Sequence, residues 1–139
     1  MKRSEKQSTR NYILVGDENT VKTALDELQW GFSERTKGLW NTSEIGEEIA
    51  FYVTKPTKKI IGFGIINNKK FDNQLTWPDE ILFKKSLWPY RFQIKLVFTT
   101  KNWDDGIKSP VNLMLNIGRK VIEKKEFAKL RAAAKKKWA

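Results

Sequence analysis

"EEIAFYVTKPTKKIIGFGII", residues 47 to 66, places two apolar runs rich in β-branched and aromatic side chains on either side of "KPTK". Pro56 presets a turn, so the two runs are expected to form an antiparallel hairpin. Within it, "GFGII" (62 to 66) lacks the third glycine and the following helix of a dinucleotide-binding loop. Gly62 and Gly64 therefore read as close-packing positions in a curved strand.

The neighbouring segments extend this core. "NYILV" (11 to 15) is a short β-rich run, and "GDEN" follows as a turn in which Asp17 or Asn19 can cap a helix. In "TVKTALDELQW" (20 to 30) Val21, Leu25 and Leu28 recur at i, i+4 and i+7, which predicts a helix ending near Gly31. On the other side, "NNKKFDNQ" (67 to 74) reads as a polar loop. "LTWPDEILFKKSLWPY" (75 to 90) is an aromatic stretch broken by Pro78 and Pro89, and "RFQIKLVFTT" (91 to 100) alternates as a long strand. "KEFAKLRAAAKKKW" (125 to 138) closes the chain as a basic helix with Phe127 and Leu130 as its docking side. At least four strands with a few helices give an α+β domain with a curled or barrel-like, mostly antiparallel sheet.

Composition limits the chemistry. The 139 residues suit one compact domain, expected over 11 to 131, between a basic arm (1 to 10) and a basic tail (132 to 139). Neither Cys nor His occurs, which removes disulfides, thiolate metal sites, cysteine nucleophiles and the commonest general base. The pairs Glu47/Glu48 and Asp104/Asp105 lie in turn-like contexts and read as solvated turn acids rather than acid/base dyads. The expectation is a non-enzymatic protein with no metal and no cofactor. No apolar run approaches the roughly 20 residues of a membrane span, and the N-terminal segment has no signal-peptide core. The domain is expected to be soluble, cytoplasmic and monomeric.

The net charge of +11 is concentrated at the ends. Residues 1 to 10 carry four Lys/Arg and one Glu, residues 119 to 138 carry nine and two, and the rest holds 14 basic and 13 acidic residues. Charge alone leaves two readings open: arms that grip phosphates, or ends that keep the protein in solution. The aromatic pattern adds to the first. Of the six tryptophans, Trp40, Trp77 and Trp88 lie in settings rich in Gly, Pro, Asn and Thr, from which binding residues tend to be presented. Singly, each reads as core. As a set beside basic ends, they suit stacking on an extruded base or enclosure of a methylated group.

In this order, "NYILVGDEN", "KGLWNT", "IAFYVTKPTKKIIGFGII" and "LTWPDEILFKKSLWPYRFQIKLVF" resemble a YTH domain, and more broadly the EVE and PUA-like superfamily, over most of residues 11 to 123. The resemblance implies a pocket for N6-methyladenine or another modified base, with Trp40, Trp77 and Trp88 as cage walls. Asn41 and Thr42 would supply polar contacts from the same turn as Trp40. Where YTH domains place Lys and then Asn on the base edge, this chain has Gly16, Asp17, Glu18 and Asn19, which makes Asp17 and Asn19 the candidates for that role. "SPVNLMLNIGRKVIE" is similar to the segment that sends an arginine to phosphate, so Arg119 is expected to bind phosphate, with Lys120 and Arg91 beside it. The implied partner is methylated DNA or RNA, with no membrane. Two other readings stay open: the recognition module of a modification-dependent restriction system of the McrBC kind, and a PUA-like structural RNA binder without modified-base specificity. Either could belong to a larger restriction or RNA-processing assembly.

Overall fold

The computed structural model describes residues 10–54, 56–109 and 119–138; the side chains of Arg119 and Lys120 lie outside that description. The expected hairpin is there. β3 (Glu48–Val53) and β4 (Lys59–Phe71) pair antiparallel from Glu48 opposite Ile65 to Val53 opposite Lys59. The amides of Thr57 and Lys58 close the turn on the Thr54 carbonyl at 3.1 and 3.3 Å, and Lys58 takes φ 53°.

β4 is longer than the polarity of residues 67 to 71 suggests. It continues through that segment because β5 (Tyr90–Thr99) supplies a partner, with Asn68 opposite Gln93 and Phe71 opposite Tyr90. Cross-strand hydrogen bonds here override a composition that reads as loop. Gly62 and Gly64 are close-packing positions: an added Cβ would lie 2.8 Å from Thr99 Cγ2 and 3.0 Å from Ile94 Cγ2, respectively.

β1 (Asn11–Gly16) lies parallel to β3, so the chain must cross over between them. The crossover holds α1 (Glu18–Glu27), β2 (Gln29–Phe32) and α2 (Gly38–Thr42). α1 begins at Asp17, whose carboxylate accepts from the Thr20 amide, and stops at Leu28, which adopts φ 55°. The helical spacing points to an end near Gly31. Instead, Gln29–Phe32 is a strand paired with β5, because Trp30 and Phe32 alternate into the core while Tyr90–Gln93 offers an open edge. α3 (Pro78–Phe83) precedes β5, a 3-10 turn (Trp103–Asp105) follows it, and β6 (Arg119–Ile122) leads into α4 (Lys124–Trp138). The six strands run β2-β5-β4-β3-β1-β6 as one mixed sheet, curled into a half barrel, with antiparallel pairing at every junction except β1 with β3.

Alternation sends side chains to both faces. Tyr12, Leu14, Phe51, Ile61, Phe92 and their neighbours pack with α1 and α2. Ile13, Val15, Ala50, Phe63 and others pack with Phe127, Leu130 and Ala134 of α4. Segment 132–139, expected as a tail, continues α4 without a break through Trp138. Ala134 is buried, and the Trp138 indole packs on Phe63 and Phe98 while donating to the Asp105 carbonyl at 2.8 Å. Arg131 ties the same helix to Glu48. Of the basic N-terminal arm, residues 1 to 9 lie outside the described residues. Among the described residues, no helix is long and apolar enough to cross a membrane.

Candidate nucleic-acid interface

The segment between β4 and β5 carries two of the three candidate tryptophans, and one buried carboxylate organises it. Pro78 opens α3 at a position where a missing N–H costs nothing. Glu80, at the third helical position, turns back so that its Oε1 accepts the amides of Thr76 (2.9 Å) and Trp77 (3.2 Å). Its Oε2 accepts the amides of Leu87 and Trp88, both at 2.9 Å. Both ends of the loop therefore close on one side chain that has no solvent exposure.

Arg91, equally enclosed, completes the arrangement. Its Nε donates to the Trp88 carbonyl (2.9 Å) and its terminal nitrogens to Thr76 Oγ1 (3.0 Å) and the Gln74 carbonyl (2.5 Å), with Glu80 Oε1 at 3.4 Å. Asp72 lies 3.8 Å away. The Gln74 amide holds the Asp72 carboxyl below its ordinary range, with Lys70 and Arg91 adding to the effect. The guanidinium also lies 5.0 Å from the centre of the Trp77 ring. The resemblance assigns Arg91 to phosphate binding. A guanidinium with no exposed surface and this many internal partners cannot reach a phosphate, so its role is to hold the loop together.

The three tryptophans converge on this residue. Trp40, half-buried on α2, donates its indole N–H to the Arg91 carbonyl at 2.9 Å. Trp77 packs against the guanidinium and is only 4% exposed; its N–H meets the Thr20 carbonyl at 3.3 Å. Trp88 is half-buried, accepts from Arg91 through its carbonyl, and sends its N–H to the Asp79 carboxylate at 3.2 and 3.3 Å. Gly31 of β2 lies beneath two of them: an added Cβ would stand 2.5 Å from Trp88 Cβ and 3.1 Å from Trp77 Cζ3. Among the described residues, no ring-to-ring contact joins Trp40 to Trp77 or Trp88, and the ring in contact with Trp40 is Tyr90, edge to face.

Of the polar candidates, Asp17 and Asn19 are exposed at the start of α1, beside the Thr20 carbonyl that receives Trp77. One Asp17 oxygen is committed to the helix cap. Asn41 and Thr42 are exposed on α2, with the Thr42 hydroxyl turned back to the Gly38 carbonyl. Arg119 and Lys120 fall on β6, but their side chains lie outside the described residues.

Sequence reasoning missed Glu80, Gly31, Phe71 and Tyr90. Only Glu80 left a local signal, an acid at the third position after a helix start marked by proline. The reading of Glu47 as a solvated turn acid is also corrected. It is 5% exposed and accepts the Tyr12 hydroxyl at 2.7 Å, where burial first and Glu47 second push the Tyr12 hydroxyl well above the usual phenol range. Among the described residues, no group of three or more acidic side chains could hold a metal ion.

No family model and no curated protein matches the sequence. Solved structures do match the fold. The Mmi1 YTH domain in complex with RNA superposes with a TM-score of 0.61 at 14% identity, over 91% of this chain and 77% of that one. The ASCH protein of Zymomonas mobilis gives 0.61 at 11%, over 90% and 96%. The fold is that of the YTH and ASCH domains. Rpa0253 of Rhodopseudomonas palustris shares it too, at a TM-score of 0.55 and 12% identity, over 89% of this chain and 92% of that one.

Proposed function

We infer that this domain is a non-enzymatic nucleic-acid reader that receives an extruded modified base, N6-methyladenine in the first instance, at its three tryptophans. The observation that carries the reading is the convergence of Trp40, Trp77 and Trp88 on Arg91, anchored by a carboxylate that takes four backbone amides. A site that must tell a methyl group from a hydrogen needs rings held by their surroundings rather than by the ligand. In this reading Trp40 and Trp88 present the accessible rings, Trp77 is the enclosed floor, and Asp17, Asn19, Asn41 and Thr42 supply polar contacts to the base edge. Arg119, Lys120 and the basic ends hold the backbone. The likeness to an RNA-bound YTH domain supports the ligand class.

The deciding measurement is binding to matched oligonucleotides with and without the methyl group, as DNA and as RNA. Trp40→Ala should abolish the preference for the methylated strand, and Trp40→Phe should keep part of it. A Trp40→Ala protein that retained the preference would remove Trp40 from the cage. The burial of Trp77 favours one other reading, a PUA-like RNA binder with its tryptophans in the core, for which wild type would bind methylated and unmethylated strands alike. A restriction system of the McrBC kind is the context in which a methyl-DNA preference would fit.

The lysines ending α4 bear on backbone affinity. Deleting 132 to 138 would strip Ala134 and Trp138 from the core, so the charge is better removed by substitution. Lys135, Lys136 and Lys137 are exposed. Changing all three to Gln should make the dependence of log K on log salt shallower, by about 0.7 to 0.9 for each phosphate no longer neutralised. An unchanged slope would assign these lysines to solvation.

A further inference from the structure

Beside Trp40 the surface continues as a row of rings. Tyr90 packs on Trp40 with 5.2 Å between ring centres and 63° between planes, and Phe71 packs on Tyr90 at 5.2 Å and 75°. The sheet sets this row: Phe71, the last residue of β4, is the register partner of Tyr90, the first of β5. A cation stands at each inner ring, Lys69 at 5.1 Å from Trp40 and Lys37 at 4.8 Å from Tyr90. Both are held in place. Lys69 donates to the carbonyls of Trp40 and Ser43 at 2.6 and 2.9 Å, and Lys37 pairs with Glu34 at 2.7 Å. Glu34 also accepts the Tyr90 hydroxyl, at 2.5 Å.

Phe71 ends the row and is 57% exposed. Nothing in the pairing of β4 with β5 requires a phenyl ring there, and a polar residue would serve the strand end as well. A rigid aromatic row, open at one end and with the Lys69 ammonium held beside it by neutral carbonyls, matches the chemistry of a flat base joined to phosphate, whereas the Lys37 charge is already met by Glu34.

The geometry points to Phe71 and Tyr90 as a stacking platform for an unpaired nucleotide next to the base taken up at Trp40. The platform depends on the ligand being nucleic acid, but not on the methyl group. A base inside a duplex has both faces covered by its neighbours, so the platform selects single-stranded or splayed nucleic acid. Stacking uses the face that all bases share, so the platform tolerates any base.

The test uses the full chain and short labelled single strands: one with a central N6-methyladenine, its unmethylated twin, and a third with abasic residues flanking the methylated position. Phe71→Ala should weaken binding to the first two by the same factor, roughly 5- to 150-fold, the effect of losing one stacked base. The ratio between methylated and unmethylated strands stays unchanged. Phe71→Trp should restore affinity and Phe71→Leu should not, while wild type and Phe71→Ala bind the abasic strand alike. The four proteins should melt together, since the ring is exposed. The platform is overturned if Phe71→Ala binds as tightly as wild type, or if Phe71→Leu retains full affinity, which would mark an apolar protein contact instead. Equal wild-type affinity for methylated and unmethylated strands would overturn the reader alone, and the platform would stand on the Phe71→Ala loss. A wild type that binds no oligonucleotide would overturn both.

Discussion

Glu80→Gln is expected to destabilise the domain by about 3 to 5 kcal/mol, the range for breaking a buried ion pair from one side. The change is nearly isosteric, so the effect is electrostatic. Glu80 accepts the Thr76 and Trp77 amides on one oxygen and the Leu87 and Trp88 amides on the other, with Arg91 at 3.4 Å. An amide keeps a single acceptor oxygen. Its NH2 group must face either two backbone donors or two donors and a guanidinium, so whichever way it is turned some buried N–H groups are left without a partner. Each such group costs about 1 to 3 kcal/mol, and Arg91 loses its enclosed counter-charge. Among the described residues, only Asp72, 3.8 Å away and 25% exposed, remains to offset it. The loop from 72 to 90 should loosen before the rest of the sheet, because Trp77 and Trp88 are held through these bonds. Denaturant unfolding followed by tryptophan fluorescence measures the loss. A Glu80→Gln protein within about 1 kcal/mol of wild type would show that the carboxylate does not support this loop.

The same cluster shows what could be read from the residues and what could not. The β3/β4 hairpin was legible because its signal is local: two continuous apolar runs of β-branched and aromatic residues around a proline turn. The docking face of α4 was legible for the same reason, with Phe127 and Leu130 at helical spacing. β2 was not, since the i, i+4, i+7 series of α1 includes Leu28 and gives no sign that Leu28 leaves the helix with positive φ. The strand nature of residues 67 to 71 was hidden because it is imposed by β5 rather than by side chains. The tryptophans could be singled out by setting and by resemblance. Their support could not. Glu80 and Arg91 are 11 residues apart, with no periodic relation, and an arginine in an aromatic stretch of a basic protein reads as a phosphate ligand until its burial is seen. Phe71 gave no signal of its own because its significance is its packing on Tyr90, 19 positions away.

Gly31→Ala should be the second most disruptive change, and it separates support of the tryptophans from their chemistry. In most strands a Gly→Ala change gains about 0.4 to 1 kcal/mol by restricting the unfolded chain, and Gly31 has no positive φ to oppose this. Here the space is taken. The new methyl would stand 2.5 Å from Trp88 Cβ and 2.9 Å from the Trp88 carbonyl oxygen. Neither atom is the far end of a flexible chain: the carbonyl receives Arg91 Nε, and the Trp88 amide is bound to Glu80. Either Trp88 moves and strains those bonds, or β2 shifts and weakens the pairing of Gln29–Phe32 with β5. Overpacking of this kind costs about 1 to 3 kcal/mol, which exceeds the entropic gain, so the net sign is destabilising. Gly38→Ala is the control, since nothing lies within 4 Å of its added Cβ, and it should match or exceed wild-type stability. Near-ultraviolet circular dichroism should change for Gly31→Ala and not for Gly38→Ala. If Trp88 is a wall of the base site, Gly31→Ala should also erode the preference for methylated strands at temperatures where the protein remains folded. A Gly31→Ala protein that is less stable yet keeps the whole preference would leave Trp88 as packing and place recognition on Trp40.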